Sequence, residues 1–111
     1  MTTTLGIALA VVFAVFGIAK LAALPAMRTA AAHLGYTTDQ YRLIGALEVA
    51  GALGLVIGLK LTAIGIAAAI GLVLLMLGAA QAHVKNHDAP TRVIVPIVVA
   101  VIAAAYLLTL R

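Results

Sequence analysis

The chain has 111 residues, of which 66% are hydrophobic and 9% are charged, and its mean hydropathy is +1.27. Because about a quarter of the residues in soluble domains are charged, this composition excludes a soluble globular protein and indicates an integral membrane protein. The seven basic residues lie singly, mostly at the ends of apolar segments, so the net charge of +4 favours contact with lipid headgroups and not with nucleic acid. The lack of cysteine excludes disulfides and thiolate chemistry.

The first apolar segment predicts a membrane span over residues 5–24, with Lys20 as its only charge. Pro25 ends the span because proline lacks a backbone donor and restricts the residue before it. Small residues near Pro25 resemble a signal-peptide cleavage site. The preceding start, from Met1 to Thr4, has no basic residue, so we expect the segment to be retained.

A short interfacial helix is predicted over residues 27–34, where apolar residues recur at helical spacing and Gly35 is a suitable C-cap. Thr37 and Gln40 then have the spacing of a capping box. This places the second span at residues 38–59.

Two further spans are predicted at residues 63–82 and 92–110, with Pro90 suited to a helix start. The connection of residues 60–62 is so short that the second and third spans must be antiparallel neighbours. Since each span needs about 20 apolar residues, four spans account for nearly the whole chain. The sequence therefore predicts one all-α domain over residues 1–111, an integral membrane four-helix bundle.

The distribution of basic residues gives an orientation. Four of them lie on the side of the first and third loops and two on the other side: Arg28, Arg42, Lys85 and Arg92 against Lys60 and Arg111. Because cytoplasmic loops are enriched in lysine and arginine, we expect both termini outside the cell membrane.

Glu48 is an acid in the middle of the second span, where an ionised side chain costs roughly 2.5–3.5 kcal/mol on insertion scales. It lies roughly 15 Å below the first-loop side, and Lys20 lies about 6 Å below that same side at the end of the first span. Gln81 and His83 close the third span there too. These side chains from three helices therefore share one half of the bilayer.

Helical phase groups further residues around this level. Glu48 shares a face with small residues, Lys20 shares one with Phe16 and Gly17, and His83 shares one with Met76. We predict a pocket with an apolar wall and a polar floor. Its expected residues are Glu48, Lys20 and His83 as catalytic groups, and Phe16, Gly17, Gly51, Met76 and Gln81 as ligand-binding groups.

Structural interpretations remain open for each polar residue. Glu48 can serve as an ion pair that fixes helix packing, and Lys20 can extend to the headgroups. His83 and His87 suit a loop, and we predict no metal site because Asp88, the one further ligand, is too close in sequence. The tyrosines suit the membrane interface, and the glycines of the second span suit helix packing: Tyr36, Tyr41 and Tyr106, and Gly51, Gly54 and Gly58.

Three elements resemble the pattern of small DoxX-like membrane proteins: Phe16 to Leu21, the glycine-rich segment from Ile44 to Gly58 that carries Glu48, and Met76 with His83. The resemblance implies a four-helix bundle and marks Lys20, Glu48 and His83. Proteins of this family have been linked to quinone-coupled sulfur oxidation, to oxidative-stress complexes and, in distant animal relatives, to receptor assembly.

Three functions follow as hypotheses. The first is a site for a small lipophilic molecule, such as a quinone or isoprenoid-like compound, with redox-linked or acid-base chemistry at Glu48. The second is a proton-coupled exporter, although Lys20 would compete with a cationic substrate for Glu48. The third is a membrane assembly subunit in which the two residues lock helices together. A homodimer or a complex partner is compatible with each, and the sequence specifies no cofactor.

Overall fold

The computed structural model describes residues 1–110, and within them five helices and no strands form. Four of the helices are long and apolar enough to cross a membrane. The predicted all-α bundle of a multi-pass membrane protein is confirmed; Arg111, used in the orientation argument, lies outside the described residues. The helices are α1 (Thr2–Leu21), α2 (Pro25–Leu34), α3 (Thr38–Ile57), α4 (Thr62–Lys85) and α5 (Pro90–Thr109).

The turn between α1 and α2 lies earlier in the chain than predicted. Helix α1 ends at Leu21, three residues before the expected position, and Ala23 takes a left-handed conformation with φ 49°. Pro25 is the first residue of α2, where its missing donor would be unpaired in any case, so it begins a helix as well as preventing α1 from continuing. Gly35 ends α2 at φ 83°, in the conformation expected of a glycine C-cap.

The predicted capping box forms at the start of α3. Gln40 N donates to Thr37 Oγ1 at 3.0 Å, and Thr37 N donates to Gln40 Oε1 at 2.9 Å. Helix α4 ends at Lys85, three residues beyond the expected end of the third span, and therefore includes His83. His83 is therefore a helical residue and not a loop residue, because nothing before Asn86 interrupts the helix.

Helix α1 packs most extensively on α3, and α4 packs most extensively on α5. Glycine allows the closest approaches: a Cβ built on Gly17 would lie 2.7 Å from Gly45 O, and one on Gly58 would lie 2.3 Å from Gly65 Cα. A Cβ on Gly6, near the start of α1, would approach Leu59, just after α3. The contacting positions thus follow opposite orders along α1 and α3.

The core is an apolar cluster between the four long helices, and the charged residue Glu48 is also buried, at 2% exposure. Many leucine, isoleucine and valine side chains face outward, as expected for a surface in contact with lipid. The buried members of the cluster are Leu9, Ala10, Phe13, Ala52, Leu55, Ala69, Leu72, Ala103 and Tyr106.

Candidate functional site

Lys20 and Glu48 form an ion pair between α1 and α3, in which Lys20 Nζ donates to Glu48 Oε1. The Glu48 side chain is 2% exposed and that of Lys20 is 12% exposed. Gly45 makes this approach possible, since a Cβ there would lie 2.6 Å from Lys20 Cβ. The structure therefore joins the two charges that helix depth alone placed in the same half of the bilayer.

Aromatic rings surround the lysine. Its Nζ lies 5.8 Å from the centre of the Phe16 ring and 5.2 Å from that of Tyr41, both within the range of cation–π attraction. Tyr41, expected at the membrane interface, is thus a site residue that the sequence reasoning missed. The signal was available: Tyr41 precedes Glu48 by seven residues, two helical turns, and so shares its face of α3.

Two adjoining cavities border the ion pair, one of about 220 Å³ and one of about 170 Å³. Their combined volume lies in the lower part of the range of about 300–1,000 Å³ that is typical of small-molecule sites. Phe16 and Met27 line the larger cavity, and Leu34 and Tyr36 line the smaller one. Six residues line both: Lys20, Tyr41, Glu48, Met76, Ala79 and His83.

Of the predicted ligand-binding residues, Phe16 and Met76 line these cavities, and Gly17, Gly51 and Gln81 do not. Gly17 on α1 packs directly on Gly45 of α3, so it contacts a helix and does not line these cavities. Gln81 is offset from His83 by two helical positions, about 200° around α4. It lines a separate polar surface cavity of about 310 Å³ with Lys85 and Asn86.

Gly51 lies elsewhere, packed on Leu72 at the edge of a groove between α3 and α4. This groove is the largest of the four cavities described here, about 590 Å³, and every residue that lines it is apolar. Specific binding sites combine an apolar lining with a few polar groups. The cavities around Glu48 have such polar groups, and the groove does not.

Asp88 extends the polar cluster toward the loops. Its Oδ2 lies 2.6 Å from His83 Nδ1, and its Oδ1 lies 2.5 Å from His33 Nε2, so one carboxylate joins α2 to the end of α4. The hydrogen bond to His83, followed by that to His33, holds the pKa of Asp88 below its usual value. His83 therefore belongs to two structures at once, the cavity and this bridge.

The possible metal ligands of the chain are histidine, aspartate and glutamate side chains. No group of histidine, aspartate and glutamate side chains within residues 1–110 is arranged to hold a metal ion. The two imidazoles of the bridge instead contact the carboxylate directly.

The family comparison covers nearly the whole chain: residues 4–106 match the model of the DoxX-like family. No curated protein and no solved structure matches the chain significantly. The matched range contains all four long apolar helices, apart from the ends of α1 and α5, and every residue of the polar cluster. The chain belongs to the DoxX-like family.

Proposed function

We propose that this protein binds a small lipophilic molecule with a polar head, such as a quinone or isoprenoid-like compound, beside Lys20 and Glu48, and supports redox-linked or acid-base chemistry there. One observation carries the proposal: the buried ion pair borders open space. A pair that served packing alone would be expected to be enclosed by protein atoms, since protein interiors are close-packed.

The free donors of the lysine favour an oxygen-bearing ligand. An ammonium group has three N–H donors, and the structure records one hydrogen bond from Lys20, to Glu48. The remaining donors suit a carbonyl or phenolate oxygen of a ligand head. Glu48 is close enough to exchange a proton with a group held there, which is the requirement for acid-base catalysis.

The walls of the cavity favour an apolar ligand body. Phe16, Met76 and Val99 are among the residues that line the larger cavity. Phe16 on α1 and Val95 on α5 also face outward, at 51% and 62% exposure. A ligand dissolved in the bilayer can therefore enter between α1 and α5 without crossing water.

Filling the cavity tests the proposal. The probe is decyl-benzoquinone, titrated into the purified protein in lipid nanodiscs with calorimetric detection. We expect Met76→Trp to abolish binding, because the indole would occupy the space beside Glu48. Leu77→Trp is the matched control, since Leu77 is the next residue, is 50% exposed and lines none of the four cavities.

Binding that survives in a folded Met76→Trp protein would refute the site. Flux of a substrate into proteoliposomes under a pH gradient would instead favour the exporter alternative, and a lack of binding by the wild type would favour an assembly subunit.

A further inference from the structure

The bridge of His33, Asp88 and His83 lies outside the ion pair but reaches its cavity. We propose that Asp88 and His33 position His83 as the hydrogen-bond and proton acceptor of the cavity, so that the preferred ligand presents a hydroxyl group. This inference rests on the proposed lipophilic-ligand site and deepens it. It names the chemical class of the ligand head: a phenol or hydroquinone in preference to the corresponding ether.

The carboxylate fixes the tautomer of His83. An ionised carboxylate only accepts hydrogen bonds, so the hydrogen in the contact of 2.6 Å belongs to His83 Nδ1. In the neutral ring the other nitrogen, Nε2, then has a free lone pair. His83 therefore offers an acceptor, and its ring lines both cavities.

His33 holds the carboxylate in place. Its Nε2 donates to Oδ1 while His83 donates to Oδ2, so both oxygens of Asp88 are occupied. The side chain of Asp88 is 5% exposed, which limits competition from water, whereas that of His33 is 45% exposed. Because the pKa of Asp88 is lowered, the carboxylate stays ionised throughout the neutral pH range.

The groups that face the cavity differ in what they offer a ligand. Lys20 only donates, Glu48 accepts from Lys20, and the Tyr41 hydroxyl can do either. Asp88 accepts hydrogen bonds from both His33 and His83, so its carboxylate is already engaged. His83 Nε2 is thus a neutral acceptor that complements the lysine donors, and a head with one hydroxyl and one further oxygen satisfies both.

The proton step balances within the site. The O–H bond of the ligand breaks, its electron pair stays on the ligand oxygen, and the proton forms a bond to His83 Nε2. The resulting imidazolium lies between the ligand oxyanion and the Asp88 carboxylate, and Lys20 stabilises the oxyanion. No electron leaves the ligand in this step, so it needs no oxidant.

Two redox-stable probes test the hydroxyl preference: para-decylphenol and its methyl ether, para-decylanisole. One added hydrogen bond corresponds to roughly a tenfold difference in affinity, so we expect the wild type to bind the phenol about tenfold more tightly. His83→Ala should remove the preference, and His87→Ala, at an exposed histidine four residues later, should keep it.

Positioning by Asp88 is tested separately. Asp88→Asn replaces two acceptors with one acceptor and one donor, so one imidazole must change tautomer, and we expect the phenol preference to fall. Asp39→Asn, at a loop-side aspartate that is 92% exposed, should leave it unchanged. Nitrogen NMR of ring-labelled histidine should show His83 with its proton on Nδ1 in the wild type.

The outcomes separate the two proposals. If the wild type binds neither probe, the ligand site itself is wrong. Equal binding of both probes that Met76→Trp abolishes would keep the ligand site and overturn the role of His83. A His83 proton on Nε2 in the wild type would also overturn it.

Discussion

The two ends of this helix bundle each bury a polar side chain, but the two side chains differ in their hydrogen-bond partners and in the space beside them. Toward the end that carries the α1–α2 and α4–α5 connections, called the loop-side end, Glu48 has a lysine partner and adjoins open space. At the opposite end, the Tyr106 ring is fully buried, and its hydroxyl has no hydrogen-bond partner within residues 1–110. Tyr106 lines none of the four cavities described above. Burial of a polar group is therefore common to both ends, whereas a charged partner and adjoining open space are found at Glu48, where we propose the ligand site.

Glycine produces both environments. A Cβ on Gly6 would lie 3.1 Å from the Tyr106 ring, and one on Gly65 would lie 2.8 Å from its hydroxyl, so small residues let the tyrosine fill its end of the bundle. At the other end, Gly45 allows the Lys20 side chain to pack between α1 and α3, and two cavities border the ion pair there. The same residue type thus supports packing at one end and a cavity at the other.

Breaking the ion pair should have the largest effect. Lys20→Met alone leaves Glu48 buried without its partner, and loss of one member of a buried pair costs about 3–5 kcal/mol. We expect such a loss in the free energy of unfolding in mixed micelles. Lys20→Met with Glu48→Leu should recover most of it, because two apolar side chains of similar size leave no buried charge.

Ligand binding by the same variants distinguishes a ligand site from an ion pair that only holds two helices together. If the pair only joins α1 to α3, the stable double variant should behave as the wild type in every assay. We expect it instead to bind no decyl-benzoquinone. Glu48→Gln, which keeps the shape of the side chain, should also lose binding while the protein stays folded, and normal binding there would remove the proposed role of the carboxylate.

The packed end should respond to added volume. Gly58→Ala places a Cβ 2.3 Å from Gly65 Cα, a backbone atom that cannot move aside, and overpacking of this kind typically costs about 1–3 kcal/mol. Gly71→Ala is the matched control on α4, since nothing lies within 4 Å of its added Cβ. There we expect a gain of up to about 1 kcal/mol from helix propensity. Equal effects of the two substitutions would contradict the close contact of α3 with α4.

The bridge at the loop-side end should respond to acid. The pKa of Asp88 is lower in the folded protein than its ordinary value, so its contribution is present above that value and is lost as the pH falls through the folded pKa. We expect the protection of α2 amides against hydrogen exchange, expressed relative to the intrinsic exchange rate at each pH, to fall under acid in the wild type. In Asp88→Asn, α2 should already exchange faster at neutral pH and show less further change. An unaltered α2 in this variant would argue against the bridge.

Sequence patterns predicted the features that depend on neighbours along the chain. The spans follow from hydropathy, and the start of α3 follows from the Thr37 and Gln40 spacing. Helix rise places Lys20 and Glu48 in the same half of the bilayer. The bridge through Asp88 could not be predicted in this way. It joins His33 to a residue 55 positions later, and it depends on how α2 folds back over the end of α4.

The residues predicted to bind a ligand fall into two groups, those that line a cavity and those that contact another helix. Phe16 and Met76, which share helical phase with Lys20 and His83, line the cavity, and whether they bind a ligand stays a prediction. Phase alone does not distinguish a glycine that lines a cavity from one that contacts a helix. Gly17 and Gly51 are glycines in helix contact, and whether they influence a ligand stays a prediction.

The smallest effects should come from removing one hydroxyl at each end. Tyr106→Phe deletes a buried hydroxyl that has no hydrogen-bond partner among the described residues, so we expect no loss of stability and a gain of up to about 1 kcal/mol. Tyr41→Phe should leave stability unchanged but weaken para-decylphenol binding roughly two- to tenfold, because the Tyr41 hydroxyl can bond a ligand head in the cavity. Thermal unfolding and titration of both variants measure the contrast. If Tyr106→Phe were strongly destabilising, its hydroxyl would have a partner, and the two ends would differ only in their open space.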